Sequence, residues 1–171
     1  MHKVAIEHAD NYRLEVVKAT LKKCFDDLGY PKNNPLGKVV HPGDKVFIKP
    51  NWVASRWRES CPHKDTLYCV ITHPNVIEAV ADYVAEALQG SGEIIIGDNP
   101  SIDADFSELM EFTEIEKIKG KYDVPVSILD LRPQICDDLK NYGKKHMMVK
   151  QNGDPLGEVE VNLGKDSLLY G

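Results

Sequence analysis

Three short runs carry the residues whose types and spacing could do chemistry: Lys49-Pro50-Asn51, Thr72-His73-Pro74 and Gly97-Asp98-Asn99-Pro100. Lys49 offers a point cation for a carboxylate or phosphate. The Asn51 amide either orients a ligand or holds its own loop through an Asx turn. Thr72 is a cap for a following helix, or a hydroxyl facing a phosphate at that helix start. His73 sits where the positive end of a helix dipole disfavours imidazolium, so its ring is expected to be neutral: an acid/base, a hydrogen-bond partner or a metal ligand, with a capping role as the alternative. Asp98 suits a hydroxyl, a cation or an amine, or simply turns the chain between Gly97 and Pro100. Gly97 gives backbone room for a close approach. Asn99 adds a second amide at the same turn.

A fourth group lies in the polar stretch between the first two runs. Arg56, Arg58 and Lys64 share it with Trp52 and Trp57, a combination that suits an anionic small molecule. Cys61, His63, Cys69 and His73 have the types of a zinc set, although Cys-x-His followed by Cys-x3-His is not a familiar zinc spacing, and free thiols with loop histidines are the plainer reading. No G-x-G-x-x-G links a strand to a helix, which argues against a dinucleotide, and no P-loop, H-E-x-x-H or nucleophile elbow is present.

The elements that must position these residues follow from periodicity. Lys45-Val46-Phe47-Ile48 reads as a buried strand running into Lys49. Pro74 to about Leu88 has Val76, Ile77, Val80, Val84, Ala87 and Leu88 on one side and Glu78, Asp82 and Glu86 on the other, an amphipathic helix with proline in its first turn. Glu93-Ile94-Ile95-Ile96 reads as a second strand running into Gly97. Strand, helix, strand is a βαβ unit, and ligands of parallel α/β sheets gather beyond the carboxyl ends of the strands. All three polar runs fall at that edge or at the start of the crossover helix.

Around this unit the pattern predicts a first strand over Lys3 to Glu7, a helix from Tyr12 to Leu28 capped by Asn11 and closed by Gly29, a helix from Phe106 to Lys119, and a third core strand from Val124 to Leu131. A hairpin is predicted from His146 to Lys150 and from Leu156 to Leu163, turning at Asn152-Gly153-Asp154-Pro155. The expected fold class is α/β and Rossmann-like: a mainly parallel sheet, flanking helices and a C-terminal β-hairpin, in a single domain of 171 residues. The chain stops at Ser167-Leu168-Leu169-Tyr170-Gly171 with no closing element. It reads as the N-terminal part of a longer architecture, lacking its C-terminal half, or as a homo-oligomer completed by a second copy.

With a formal charge of −6, the chain is not a generic nucleic-acid binder, whose affinity needs clustered lysines and arginines. No signal peptide and no apolar run of membrane-spanning length appears, so no membrane partner is expected and the cytoplasm is the expected location.

The combination Ile48-Lys49-Pro50-Asn51, Thr72-His73-Pro74 and Gly97-Asp98-Asn99-Pro100, in this order and spacing, resembles the family known as domain of unknown function 362, with Val161-Asn162-Leu163-Gly164 matching a further segment. The resemblance runs from about Val4 to the end. It implies a Rossmann-like layer akin to the N-terminal region of lactate racemase, and it implies no particular reaction. Some members carry a ferredoxin-type segment for four-iron clusters. This chain has no Cys-x-x-Cys-x-x-Cys run, so no cluster is inherited, and the cofactor is left open.

Three functions are therefore carried forward. The first is a ligand- or cofactor-binding α/β domain of an enzyme, with Lys49, His73 and Asp98 as reacting groups and Asn51, Thr72, Gly97, Asn99 and Arg56 as binding groups around an anionic small molecule. The second is a metal-binding or iron-sulfur-associated redox accessory using the Cys61 to His73 set. The third is a non-catalytic oligomeric interaction module.

Overall fold

The structure is a computed structural model, and it describes residues 3–56, 64–157, 161–165 and 167–168. At its centre three parallel strands lie in the order β1 (Lys45–Ile48), β2 (Glu93–Asp98), β3 (Val126–Asp130). Register pairs Ile48 with Ile96 and Asp98 with Asp130, so β2 and β3 end together and β1 stops two residues short of them. The residues are β-branched and apolar where the strand is most covered: Ile94 and Ile96 in β2 are fully buried. Each such side chain contributes roughly 1.5–3 kcal/mol when taken from water.

The crossover helix α2 (Pro74–Leu88) has the bounds its periodicity predicts. Ile77, Val84, Ala87 and Leu88 share one core cluster with Ile94, Ile96, Leu109, Ile115 and Ile118. Helix α1 (Leu14–Leu28) packs on α2 rather than on the sheet. Its end is a Schellman arrangement. Gly29 adopts φ 78°, its N–H donates to Asp26 O, and the Tyr30 N–H donates to Phe25 O. Helix α3 (Phe106–Thr113) is capped by Asp105, whose carboxylate accepts the Ser107 and Glu108 N–H groups. On the sheet face opposite α2, Phe47 stays half-exposed, and Ile95 and Leu129 are only partly covered.

Several sequence expectations change. Lys3 to Glu7 is not a strand: it has no sheet partner among the described residues, and Val4 and Ile6 are 84% and 88% exposed. Helix α1 starts two residues later than Tyr12, because the Asn11 side chain accepts the Arg13 N–H and keeps the chain in a turn there. The helix predicted from Phe106 to Lys119 breaks at Glu114 (φ 51°) and resumes as a 3-10 turn over Ile115–Ile118. The break allows Ile115 and Ile118 to be fully buried, which outweighs one left-handed residue. A C-terminal antiparallel pair exists, but its strands are β4 (Gln134–Ile135) and β5 (Val149–Lys150). Val149 thus pairs back to the segment leaving β3, not forward to Leu156 to Leu163. Residues 158–160 lie outside the described ones, and Val161, Asn162 and Leu163 are exposed and belong to no strand among the described residues.

Candidate functional site

The ends of β1 and β2 are tied by one carboxylate. Asp98 is 5% exposed. Its Oδ2 accepts the Trp52 backbone N–H at 2.6 Å, and its Oδ1 stands 2.8 Å from Lys49 Nζ. Lys49 also donates to the Pro50 carbonyl, and its side chain remains 62% exposed. By register Lys49 falls beside Gly97, one residue short of Asp98, and strict alternation would put the two side chains on opposite faces, so the pair forms because Lys49 already lies past the end of β1. Both Asp98 oxygens are therefore engaged by the protein itself.

Asn51 and Thr72 meet at the neck of the following loop. The Asn51 N–H donates to Thr72 Oγ1 and the Thr72 N–H donates to Asn51 O, both at 2.8 Å, while Asn51 Nδ2 reaches the Val70 carbonyl at 3.0 Å. A β-bridge between Trp52 and Ile71 continues the closure. Thr72 is therefore not the cap of α2. His73 is, with extended backbone and Nδ1 accepting the Asn75 N–H at 3.1 Å. Nδ1 lies as many bonds from the backbone as the side-chain oxygen of asparagine, so it can fill the same place.

That contact fixes Nδ1 as an acceptor and leaves the ring proton on Nε2. The ring is stacked on Tyr12 (4.4 Å between centroids, 6° between planes) and faces Tyr68 at 4.5 Å. Burial pushes the His73 pKa down from the ordinary value, and the charge of Lys117 pushes it the same way. Among the described residues the His73 ring makes no hydrogen bond or ion pair to Lys49 or Asp98.

The remaining predicted residues fall as follows. Gly97 is buried, and the space its side chain would take is filled by the Phe47 ring and the Leu129 carbonyl oxygen, 3.2 Å away. Asn99 is exposed, with no side-chain hydrogen bond to a described residue. Arg56 forms a two-pronged pair with Glu108, Nε to Oε2 and Nη2 to Oε1 both at 2.6 Å. The hydrogen bond from Glu108, and then its charge, raise the Arg56 pKa above the ordinary value. Cys61 and His63, like Trp57 and Arg58, lie outside the described residues. Cys69 is exposed, and no group of three or more His, Cys, Asp or Glu among the described residues is placed to hold a metal ion. Trp52 is a core residue, 0% exposed, set edge-on to Phe106.

Beside this corner, at the carboxyl ends of β2 and β3, opens a cleft of about 860 Å³. One wall is Ala54, Ser55 and Arg56. Asp103 to Ser107, at the start of α3, form the second. Ile135 to Asp138 with Val149 and Gln151 form the third, and Asp130 and Arg132 also line the cleft. Arg132 is 2% exposed. Its Nε and Nη2 grip Asp130 at 2.8 and 2.6 Å, and Nη1 donates to the Ser101 and Ala104 carbonyls at 2.7 Å each. Gln151 Nε2 reaches Asp130 Oδ2 at 3.3 Å. The guanidinium has five N–H groups, and these contacts use four. Sequence reasoning passed over Asp130 and Arg132. Their i, i+2 spacing at a strand end, which puts both on one side, was the available signal.

The cleft lining carries Asp103, Asp105, Asp130, Asp137 and Asp138 against Arg56 and Arg132. Asp138 is held below the usual carboxylate range, first by the hydrogen bond from Lys140. The arrangement can bind polar groups of both kinds: exposed acids for hydroxyls or amines, and the exposed fork of Arg56 for an anion.

Comparison with known proteins agrees with the motif reading. A curated cyanobacterial relative, the thylakoid-associated protein sll1697 of Synechocystis sp. (strain ATCC 27184 / PCC 6803 / Kazusa), is 31% identical over 99 residues. The matched stretch is 57% of this chain and 26% of that protein, so the chain spans about a quarter of the relative it matches. No solved structure matches. The family model described as Domain of unknown function (DUF362) matches residues 46–155, which hold the Lys49-Pro50-Asn51, Thr72-His73-Pro74 and Gly97-Asp98-Asn99-Pro100 runs and all of the parallel sheet but Lys45, and the chain belongs to that family.

Proposed function

We propose that this chain is a small-molecule-binding α/β domain whose site is the cleft beyond the carboxyl ends of β2 and β3. The ligand is a polar molecule with a carboxylate or phosphate at one end and hydroxyl or amino groups along its length. The supporting observation is the position of the cleft, at the edge where parallel sheets collect ligands. Buried Arg132 and Asp130 underpin it, and the exposed Arg56 overhangs it.

Arg56 is the group to receive the anion. Its pair with Glu108 is solvent-exposed, so it contributes little to stability and exchanges at small cost. A ligand carboxylate presents the same two oxygens to the same fork. Asp103, Asp137 and Asp138 then face the donor groups of the ligand. Lys49 and Asp98 support the site from behind by fixing where the loop leaves β1. Binding is proposed without a reaction. His73, the best acid/base by type, is occupied as a helix cap away from the cleft.

Calorimetric titration with a panel of hydroxy- and amino-carboxylates and their phosphate counterparts tests this reading. Binding by the wild-type chain that weakens at least about tenfold in Arg56→Ala, with an unchanged melting temperature, is the expected result. Equal affinity in both proteins overturns the assignment of Arg56. Absence of binding across the panel overturns the site.

A further inference from the structure

The free edge of β1 has the form of a strand acceptor. β1 is an outer strand, and no backbone group on its outward side is hydrogen-bonded among the described residues. On the face that packs against α2, Val46 and Ile48 remain partly exposed, although their neighbours Ile94 and Ile96 are fully buried. The core is thus uncovered along one strand width at this edge.

The helices say which direction the missing strand would run. On α2, Glu78 meets Lys121 from the segment before β3, and Tyr83 meets Lys18 and Phe25 of α1. Positions five residues apart lie about 140° apart around a helix. Asp82 lies between the two sets and takes Lys18 and Lys121 together, so helix α1 lies toward the side of α2 away from β3, the side on which β1 has its free edge. It also runs alongside α2 in the same direction, with Tyr12 near Asn75 and Lys18 near Asp82. In right-handed βα units a helix so placed belongs to a strand lying next to β1 and parallel to it.

We propose that this edge is occupied by the Lys3–Glu7 segment of a second copy of the chain, exchanged reciprocally in a symmetric dimer. The segment alternates with period two, and Val4 and Ile6 are almost fully exposed. Aligned in parallel with β1, Val4 falls beside Val46 and Ile6 beside Ile48, completing the uncovered core face. Ala5 falls beside the large Phe47, and Glu7 beside Lys49. Lys3 falls beside Lys45, whose charge Glu93 already meets at 3.1 Å. The exit of the segment is fixed. Tyr12 is stacked on His73, its carbonyl accepts from Asn75 Nδ2 at 2.7 Å, and Asn11 turns the chain at Arg13. Beyond that anchor only Ala5 is even partly covered, so the segment projects from its own body toward another. Exchange of an identical element is a low-cost route to a dimer.

Sedimentation equilibrium over a concentration range of about a hundredfold, paired with amide exchange at residues 45–48, tests this. A dimer with protected β1 amides is expected, and Ile6→Pro should raise its dissociation constant at least about tenfold while Ile6→Val leaves it near wild type. Both substitutions lie in an exposed segment, so the fold of the body is not at stake, and an unchanged melting temperature of the monomeric variant confirms that. A monomer at every concentration overturns the proposal, and protected β1 amides in that monomer would mean that the segment closes on its own chain. A dimer indifferent to Ile6→Pro also overturns it.

Discussion

Lys49 Nζ and Asp98 Oδ1 stand 2.8 Å apart across the ends of neighbouring parallel strands, and the other oxygen of the same carboxylate holds the Trp52 N–H. The two halves of this arrangement differ in weight. The ion pair is half in solvent, whereas the hydrogen bond to Trp52 is buried.

Asp98→Ala leaves a buried N–H without a partner and is expected to cost about 1–3 kcal/mol. Lys49→Ala removes only the exposed half and should cost less than about 1 kcal/mol. Urea denaturation of the two variants measures the difference. A larger loss in Lys49→Ala would show that the cation, not the backbone contact, secures this corner.

Arg132 is buried, and the Asp130 carboxylate with the Ser101 and Ala104 carbonyls accepts from it. Arg132→Ala strands the Asp130 carboxylate and two carbonyls, and is expected to destabilise by roughly 3–5 kcal/mol. Arg132→Lys cannot reproduce the fork and should recover less than half of that. Full recovery by lysine would mean that charge alone suffices there.

His73 carries a pH dependence whose sign follows from its surroundings. Burial and Lys117 hold its folded pKa below the ordinary 6.5, so between the two values the unfolded chain binds more protons and stability rises with pH. The contribution is complete above about pH 6.5 and is lost as pH falls through and below that value. His73→Asn retains a cap acceptor and removes the titration. The urea midpoint should therefore fall more in the wild type than in His73→Asn between about pH 7.5 and 5.5. Equal falls would assign the effect to other groups.

Gly92 enters β2 with φ 125°, and a side chain there would collide with the Asp44 carbonyl oxygen, which accepts the Glu93 N–H. Gly90 is also left-handed, at φ 79°, but a side chain there would meet only Asp123 Cβ, at an ordinary contact distance of 3.8 Å. Gly92→Ala is expected to cost about 3 kcal/mol or more, and Gly90→Ala about 1. Thermal denaturation ranks them, and comparable losses would show that backbone conformation alone governs both sites.

The βαβ unit was legible because its signals are local. A run of isoleucines, a proline one residue into a helix and an apolar stripe of period 3.6 depend on nothing distant. The strand expected at Lys3 to Glu7 depends on a neighbour, and alternation in sequence cannot supply one. Val149 had two possible partners, and its pairing with Ile135 reflects how β3 exits rather than the turn at Asn152. The candidate site was legible in its positions and not in its contacts. Lys49, Asp98, Asn51 and Thr72 do meet at the carboxyl edge, but as partners of one another. His73 sits at the predicted helix start and turns its ring toward two tyrosines. Arg132 left only its i, i+2 spacing from Asp130, since a buried arginine is defined chiefly by the carbonyls and the carboxylate that enclose it.

The paired bonds of Asn51 with Thr72, with the Trp52–Ile71 bridge beside them, close the long connection at its root. Beyond the root, Val53 and Ser55 are bonded to Ser101 and Asp105, and Leu67 is buried in the core. Only the stretch between Arg56 and Leu67 is left free of these ties, and a doubling of its length adds only roughly 0.6 kcal/mol of closure entropy. The fold thus provides a socket into which different recognition segments can be exchanged without renegotiating the core. Relatives with the same three motifs could then differ most widely in this one stretch.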